Sequence, residues 1–165
     1  MPNTSTFEMP KLREFVERYL PNFGIILVPF AGTYRFDAGL GRVYVYNDLN
    51  PDIKADHHVE AADLVDLYGE EYFDAIIADP PYTHTQAHRE YNGIRVQKMT
   101  PWRIAADKLL KPGGIYIELG YNSTGLRKKI AEKIALGICC CGGGHNDILT
   151  LVQRKRLKPK KVMVI

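Results

Sequence analysis

Apolar residues recur along this chain in two rhythms. Leu12, Phe15, Val16 and Tyr19 fall at i, i+3, i+4 and i+7, the face of a helix that Pro10 opens and Pro21 ends. Ile25 to Val28 is a continuous apolar run, the pattern of a strand covered on both faces. Val43 to Tyr46 alternates and predicts a second strand. The link between them is too short for a usual crossover helix, so a single helical turn or an irregular connection is expected. His57 and His58 mark a short third strand and its approach. Glu60 then begins a helix with Ala61, Leu64, Val65 and Tyr68 on one face, leaving Asp63 and Asp66 to solvent.

Ala75 to Ala78 is another buried-strand run, and it stops at Asp79-Pro80-Pro81-Tyr82. Proline cannot donate to a sheet ladder, so the strand ends at Asp79. Thr100 and Pro101 start a further helix with Trp102, Ala105 and Leu109 inward, and Leu110 to Gly114 turns it into a strand at Ile115 to Leu119. A last helix is predicted to about Leu136, with Leu126, Ile130 and Ile134 inward. A hairpin follows, Ile138 to Cys141 and Ile148 to Gln153 around Gly142 to Asn146. Strands alternating with helices predict a single doubly wound α/β sheet: five parallel strands, with one reversed edge strand in the C-terminal hairpin. The domain is expected to span 1–155, with a basic tail at 156–165.

Composition narrows the class. The chain has 165 residues, enough for one well-cored domain, with 45% hydrophobic and 25% charged residues. No apolar run approaches the ~20 residues of a membrane span. The amino terminus lacks the basic-then-apolar order of a signal peptide. A cytoplasmic protein is expected, or an intracellular one in a host cell if the source is viral. Cys139, Cys140 and Cys141 are adjacent, badly placed to bridge one another, and suit small strand residues in a reducing compartment. Asp52, Asp56, His57 and His58 do not put three ligands on one face, so no metal is expected. The net charge of +3 says little, but Arg154, Lys155, Arg156, Lys158, Lys160 and Lys161 crowd the carboxyl end. Such a run suits either a phosphate backbone or a solvated tail.

The chemistry gathers where strands end, because open α/β sheets place ligands at their carboxyl edge. Asp79 offers a carboxylate there, Pro80 a carbonyl, and Tyr82 a flat ring. Two acceptors and a ring are what holding a planar amine requires. An acid ending the second strand of a nucleotide-binding sheet, here Asp48, accepts from ribose hydroxyls. The polar stretch from Thr83 to Met99 follows the reacting residues directly and is placed as a lid or base-contacting loop, with Arg89 for phosphate and Tyr91 for a base.

Asp79-Pro80-Pro81-Tyr82 resembles the motif of the amino-methyltransferases that act on DNA at adenine N6 or cytosine N4. Pro29-Phe30-Ala31-Gly32-Thr33 is similar to their first motif, although Tyr34 stands where a second glycine is usual. The Gly144-His145-Asn146-Asp147 run is like that of small archaeal and phage adenine methylases. The resemblance implies a Rossmann-like methyltransferase sheet with S-adenosylmethionine as cofactor. Pro29 to Thr33, Asp48, Leu49, Glu60 and Ala61 would hold it, the last two beside its adenine. Asp79, Pro80, Pro81 and Tyr82 would be catalytic, with Tyr121 and Asn122 also reaching the target base. The implied activity is methylation of N6 on an adenine flipped out of DNA, most simply double-stranded DNA, in a restriction-modification setting. Cytosine N4, RNA or protein glutamine are alternative targets, and a module that binds without turnover is the non-enzyme alternative. No separate target-recognition domain is evident, so sequence preference is expected to come from the 83–99 loop or from a partner (a homodimer or a separate specificity partner), or to be weak.

Overall fold

The computed structural model describes residues 6–39, 41–81, 99–141 and 147–158. Its frame is a six-stranded sheet. In chain order the elements are a 3-10 turn at Thr6–Glu8, α1 at Pro10–Tyr19, β1 at Gly24–Val28 and β2 at Arg42–Tyr46. After them come a 3-10 turn at Ala61–Asp63 leading into α2 at Leu64–Tyr68, β3 at Phe73–Ala78 and α3 at Met99–Leu109. The chain closes with β4 at Leu110–Gly120, β5 at Ala131–Cys139 and β6 at Ile148–Lys155.

The strands lie in the order β2-β1-β3-β4-β6-β5. β2, β1, β3 and β4 are parallel neighbours, and β6 is antiparallel to both β4 and β5. This is the doubly wound, mostly parallel sheet expected, ending in a hairpin. Within that hairpin the reversed strand β6 lies one place in, and β5 forms the edge. The short third strand is reduced to a parallel bridge between Asn47 and His57.

Apolar side chains pack on both faces of the sheet. On one, α1 sets Leu12 and Val16 against Ile26, Val28, Ala75, Ile77, Ile117 and Val152. On the other, α2 and α3 set Leu64, Trp102, Ala106 and Leu109 against Leu27, Ile76, Ala78 and Tyr116. Continuous apolar strands such as β3 follow from cover on both faces. α1 has proline at its start and hands over to extended backbone at Leu20, as the residue before Pro21 favours.

One predicted element is corrected. The stretch around Ile130 and Ile134 is not helix: residues 121–130 cross over irregularly, and 131 to 139 is strand β5. The helical spacing of Leu126, Ile130 and Ile134 loses to a tertiary demand. β6 is buried along most of its length, so its backbone needs partners on both edges. β4 supplies one edge and residues 131 to 139 the other. Ile130, just before the strand, and Ile134, at its register shift, pack on opposite faces of the sheet. The crossover is pinned by the buried Gln153 side chain, which accepts from the Leu126 N–H at 2.7 Å and donates to the Leu126 carbonyl at 3.0 Å. A Cβ on Gly125 would come within 2.2 Å of that Gln153 oxygen, so a larger residue there would push Gln153 off Leu126.

Candidate functional site

Parallel pairing brings four strand ends to one edge. Val28 pairs with Tyr46, and Leu27 with Ile76. Continuing those registers puts Phe30, Asp48 and Asp79 level across three adjacent strands, which are spaced about 4.8 Å apart. Ala78 pairs with Glu118, which sets Pro81 level with Tyr121. The topology thus collects the predicted cofactor turn, the acid after β2, the Asp-Pro-Pro turn and the Tyr121-Asn122 bend on one rim.

The turn after β1 is built from beneath. Gly32 has φ of 54°, a left-handed backbone that glycine adopts without strain. Its N–H donates to Asp48 Oδ2 at 2.9 Å. Asp48 is 2% exposed, and its Oδ1 accepts from the Asn50 N–H at 2.9 Å. The carboxylate therefore braces the Gly32 turn, with each oxygen retaining a second lone pair. Neighbouring Asn47, also buried, donates to the Pro29 and Val59 carbonyls and accepts from the Val59 N–H. This amide ties the turn after β1 to the approach to Glu60 and Ala61. Ala61 is buried and Leu49 half-buried, while Thr33 is exposed. Burial, with Asp63 beside it, pushes the Glu60 carboxyl above the usual carboxylate range.

Tyr34, where a glycine was expected, has a packing role. Its ring sits edge-on to Phe36 with centroids 5.1 Å apart and tilts against Phe7, while the Arg13 guanidinium lies 5.6 Å from its centre. The described link from Ala31 to β2 contains no helix, so it matches the irregular alternative. Arg35 fastens it by donating to the Gly32 carbonyl at 2.9 Å, to the Tyr34 carbonyl at 2.6 Å and to the Lys54 carbonyl. Sequence reasoning passed over Arg35, since one arginine in a polar loop carries no periodic signal. His57 bonds Tyr68 OH at 2.6 Å, and His58 bonds the Asp48 carbonyl at 2.9 Å.

Asp79 is half-buried, Pro80 buried and Pro81 half-buried at the end of β3. Tyr82, Arg89, Tyr91 and the proposed lid up to residue 98 fall outside the described residues, and Met99 begins α3. Under this turn lies a charged group that the sequence reading missed. Glu118, 6% exposed, accepts from the Tyr116 hydroxyl at 2.5 Å and from Arg103 Nε at 3.0 Å, and Arg103 Nη2 reaches its other oxygen. The hydrogen bond to Glu118 holds the Arg103 proton more firmly than usual, and burial raises the Tyr116 phenol well above its ordinary range. Trp102, fully buried, meets the Phe30 ring edge-on at 5.5 Å. The start of α3 is thereby locked to β4 by Arg103 and to the turn after β1 by Trp102. The signal available was a lone glutamate in the apolar run Ile115 to Leu119.

Comparison with known proteins settles the architecture. No family model matches the chain, and no curated protein matches it in sequence. Solved structures do. TrmN from Thermus thermophilus superposes with a TM-score of 0.64 at 17% identity, over 93% of this chain and 50% of that one. An rRNA methylase from Streptococcus thermophilus gives 0.58 at 13% identity, over 88% of this chain and 95% of that one. The fold is that of the S-adenosylmethionine-dependent methyltransferases. The N-methyltransferase NodS from Bradyrhizobium japonicum, in complex with S-adenosylhomocysteine, gives 0.59 at 15% identity over 93% and 90% of the two chains. The chain spans half the length of TrmN. The rim of this chain carries a left-handed glycine that permits close approach, an acid beneath it, and an aromatic ring at its side.

Among the described residues no helix is long and apolar enough to cross a membrane.

Proposed function

We propose that this chain is an S-adenosylmethionine-dependent methyltransferase acting on an exocyclic nucleobase nitrogen, adenine N6 in DNA. The observation that carries the reading is the register that sets Asp79 level with Phe30 and Asp48 on one rim. Bound S-adenosylmethionine would supply an activated methyl on a sulfonium. Pro29 to Thr33, Asp48, Leu49, Glu60 and Ala61 would hold it.

The work left to the chain is positioning. The amine's lone pair is delocalised into the base, which makes it a weak nucleophile. The Asp79 carboxylate and the Pro80 carbonyl accept its two hydrogens, fix its orientation and favour a tetrahedral nitrogen. As the nitrogen gains positive charge, the adjacent Asp79 carboxylate stabilises it. The surplus proton leaves after transfer, toward Asp79 or water. Tyr82 stacks on the flipped base, while Tyr121, Asn122, Arg89 and Tyr91 contact the nucleic acid. Likeness to an rRNA methylase supports a second reading in which the same chemistry acts on RNA.

The test incubates protein and labelled cofactor with DNA and with RNA, then identifies the methylated nucleoside by mass spectrometry. N6-methyladenine in DNA is expected. Asp79→Asn is expected to lose at least a hundredfold in turnover while binding cofactor as before. Normal methylation by that variant overturns the mechanism.

A further inference from the structure

The irregular crossover leaves the site edge at Tyr121 and Asn122 and descends beside β6 to the start of β5. At its foot the turn Arg127-Lys128-Lys129 is exposed. Backbone bonds anchor this turn. The Arg127 carbonyl accepts from the Ile130 and Ala131 N–H groups at 2.8 and 3.0 Å, and the Arg156 N–H donates to the Ile130 carbonyl at 2.8 Å. Arg156 also donates through Nε to the Lys128 carbonyl at 3.3 Å, which brings the basic carboxyl-terminal run against the basic turn. Higher up, Lys133 donates to the Ser123 carbonyl at 2.6 Å. Segments distant in the chain thus form one basic face: Arg127, Lys128, Lys129 and Arg156. Its acid, Glu132, stands 4.0 Å from Arg156. Among the described residues Arg127, Lys128 and Lys129 have no carboxylate partner.

We propose that this face is a second contact for the nucleic-acid backbone, remote from the methyl-transfer rim. Charge and exposure select the ligand: clustered cations anchored on fixed backbone match repeated phosphates. Position sets the length of substrate. Gly120 pairs with Leu149, and Ala131 with Lys155. Six residues of β6 separate those levels, about 20 Å at ~3.3 Å per residue. That distance is about six base pairs of duplex at 3.4 Å each. A base seated at the rim therefore places phosphates of the same molecule over the basic turn only when the strand continues that far.

The inference rests on a nucleic-acid substrate, so its test reads binding apart from turnover. The triple variant Arg127→Glu, Lys128→Glu, Lys129→Glu is compared with the parent by fluorescence anisotropy on a labelled 30-mer, as duplex DNA and as single-stranded RNA, across a salt series. Expected is at least tenfold weaker binding and a salt slope reduced by about 2–3, since each phosphate contact contributes about 0.7–0.9 to it. Cofactor affinity and methylation of a 6-mer are expected to stay unchanged, with the loss confined to KM on the 30-mer. Equal affinity and slope in parent and variant overturn the proposal while leaving the methyl-transfer reading intact. Variant-sensitive binding without any methylated product supports the face and overturns that reading. Parent binding to neither polymer overturns both. The arm on which the variant loses more identifies DNA or RNA, and unchanged circular dichroism shows that the variant is folded.

Discussion

Arg103→Leu should destabilise this protein more than removing Arg103 and Glu118 together. Glu118 is 6% exposed and the Arg103 side chain 21%, so both charges of this pair sit largely out of water. Taking away the guanidinium leaves a buried carboxylate with the Tyr116 hydroxyl still bonded to it. Breaking a buried pair in this one-sided way costs about 3–5 kcal/mol. Replacing both members, as Arg103→Leu with Glu118→Leu, removes the desolvated charge as well, and such replacements are often close to neutral. In a domain of this size each kcal/mol lowers Tm by about 2–4 °C. The single variant is therefore expected to melt about 6–20 °C lower, and the double variant to recover most of that. Thermal and urea unfolding of the parent, both singles and the double closes the cycle. If the double variant is as unstable as the sum of the singles, the two charges are not coupled and the account of this pair is wrong.

Other expectations follow from particular contacts. Asp74 Oδ2 accepts from the Ile25 N–H and Oδ1 from Lys111. Burial raises its pKa, but these partners outweigh burial and leave it below the ordinary value. A depressed carboxylate stabilises the fold above its unfolded pKa of about 3.9, and that contribution is lost as pH falls through the folded value. Asp74→Asn should weaken the protein at pH 7 and flatten its acid unfolding limb, as read by urea midpoints across pH. An unchanged limb would remove Asp74 from the explanation. Gln153→Leu leaves the Leu126 N–H and carbonyl without their partner and should cost about 2–6 kcal/mol at ~1–3 per buried group, measured by urea unfolding. Asp48→Asn turns an amide NH2 toward one of two N–H donors. Cofactor affinity by calorimetry should fall at least tenfold, and full affinity would show that the Gly32 turn does not depend on this carboxylate.

Much of this molecule was legible in residue order, because local chemistry dictated it. Proline placed the start of α1 and the end of β3, apolar runs marked β1 and β3, and the heptad-like spacing of Leu12 to Tyr19 defined a helix face. The acids and turns after β1, β2 and β3 could be assigned to one rim because parallel strands must expose their carboxyl ends together. Three things could not be read that way. Residues 131 to 139 became a strand since β6 needed a partner, a requirement set by another part of the chain. Arg103 and Glu118 meet only when α3 folds back on β4. The basic turn at Arg127 joins Arg156 only once the hairpin closes. In each case the deciding partner lies on another element of the fold, and periodicity reports only what neighbours on one element share.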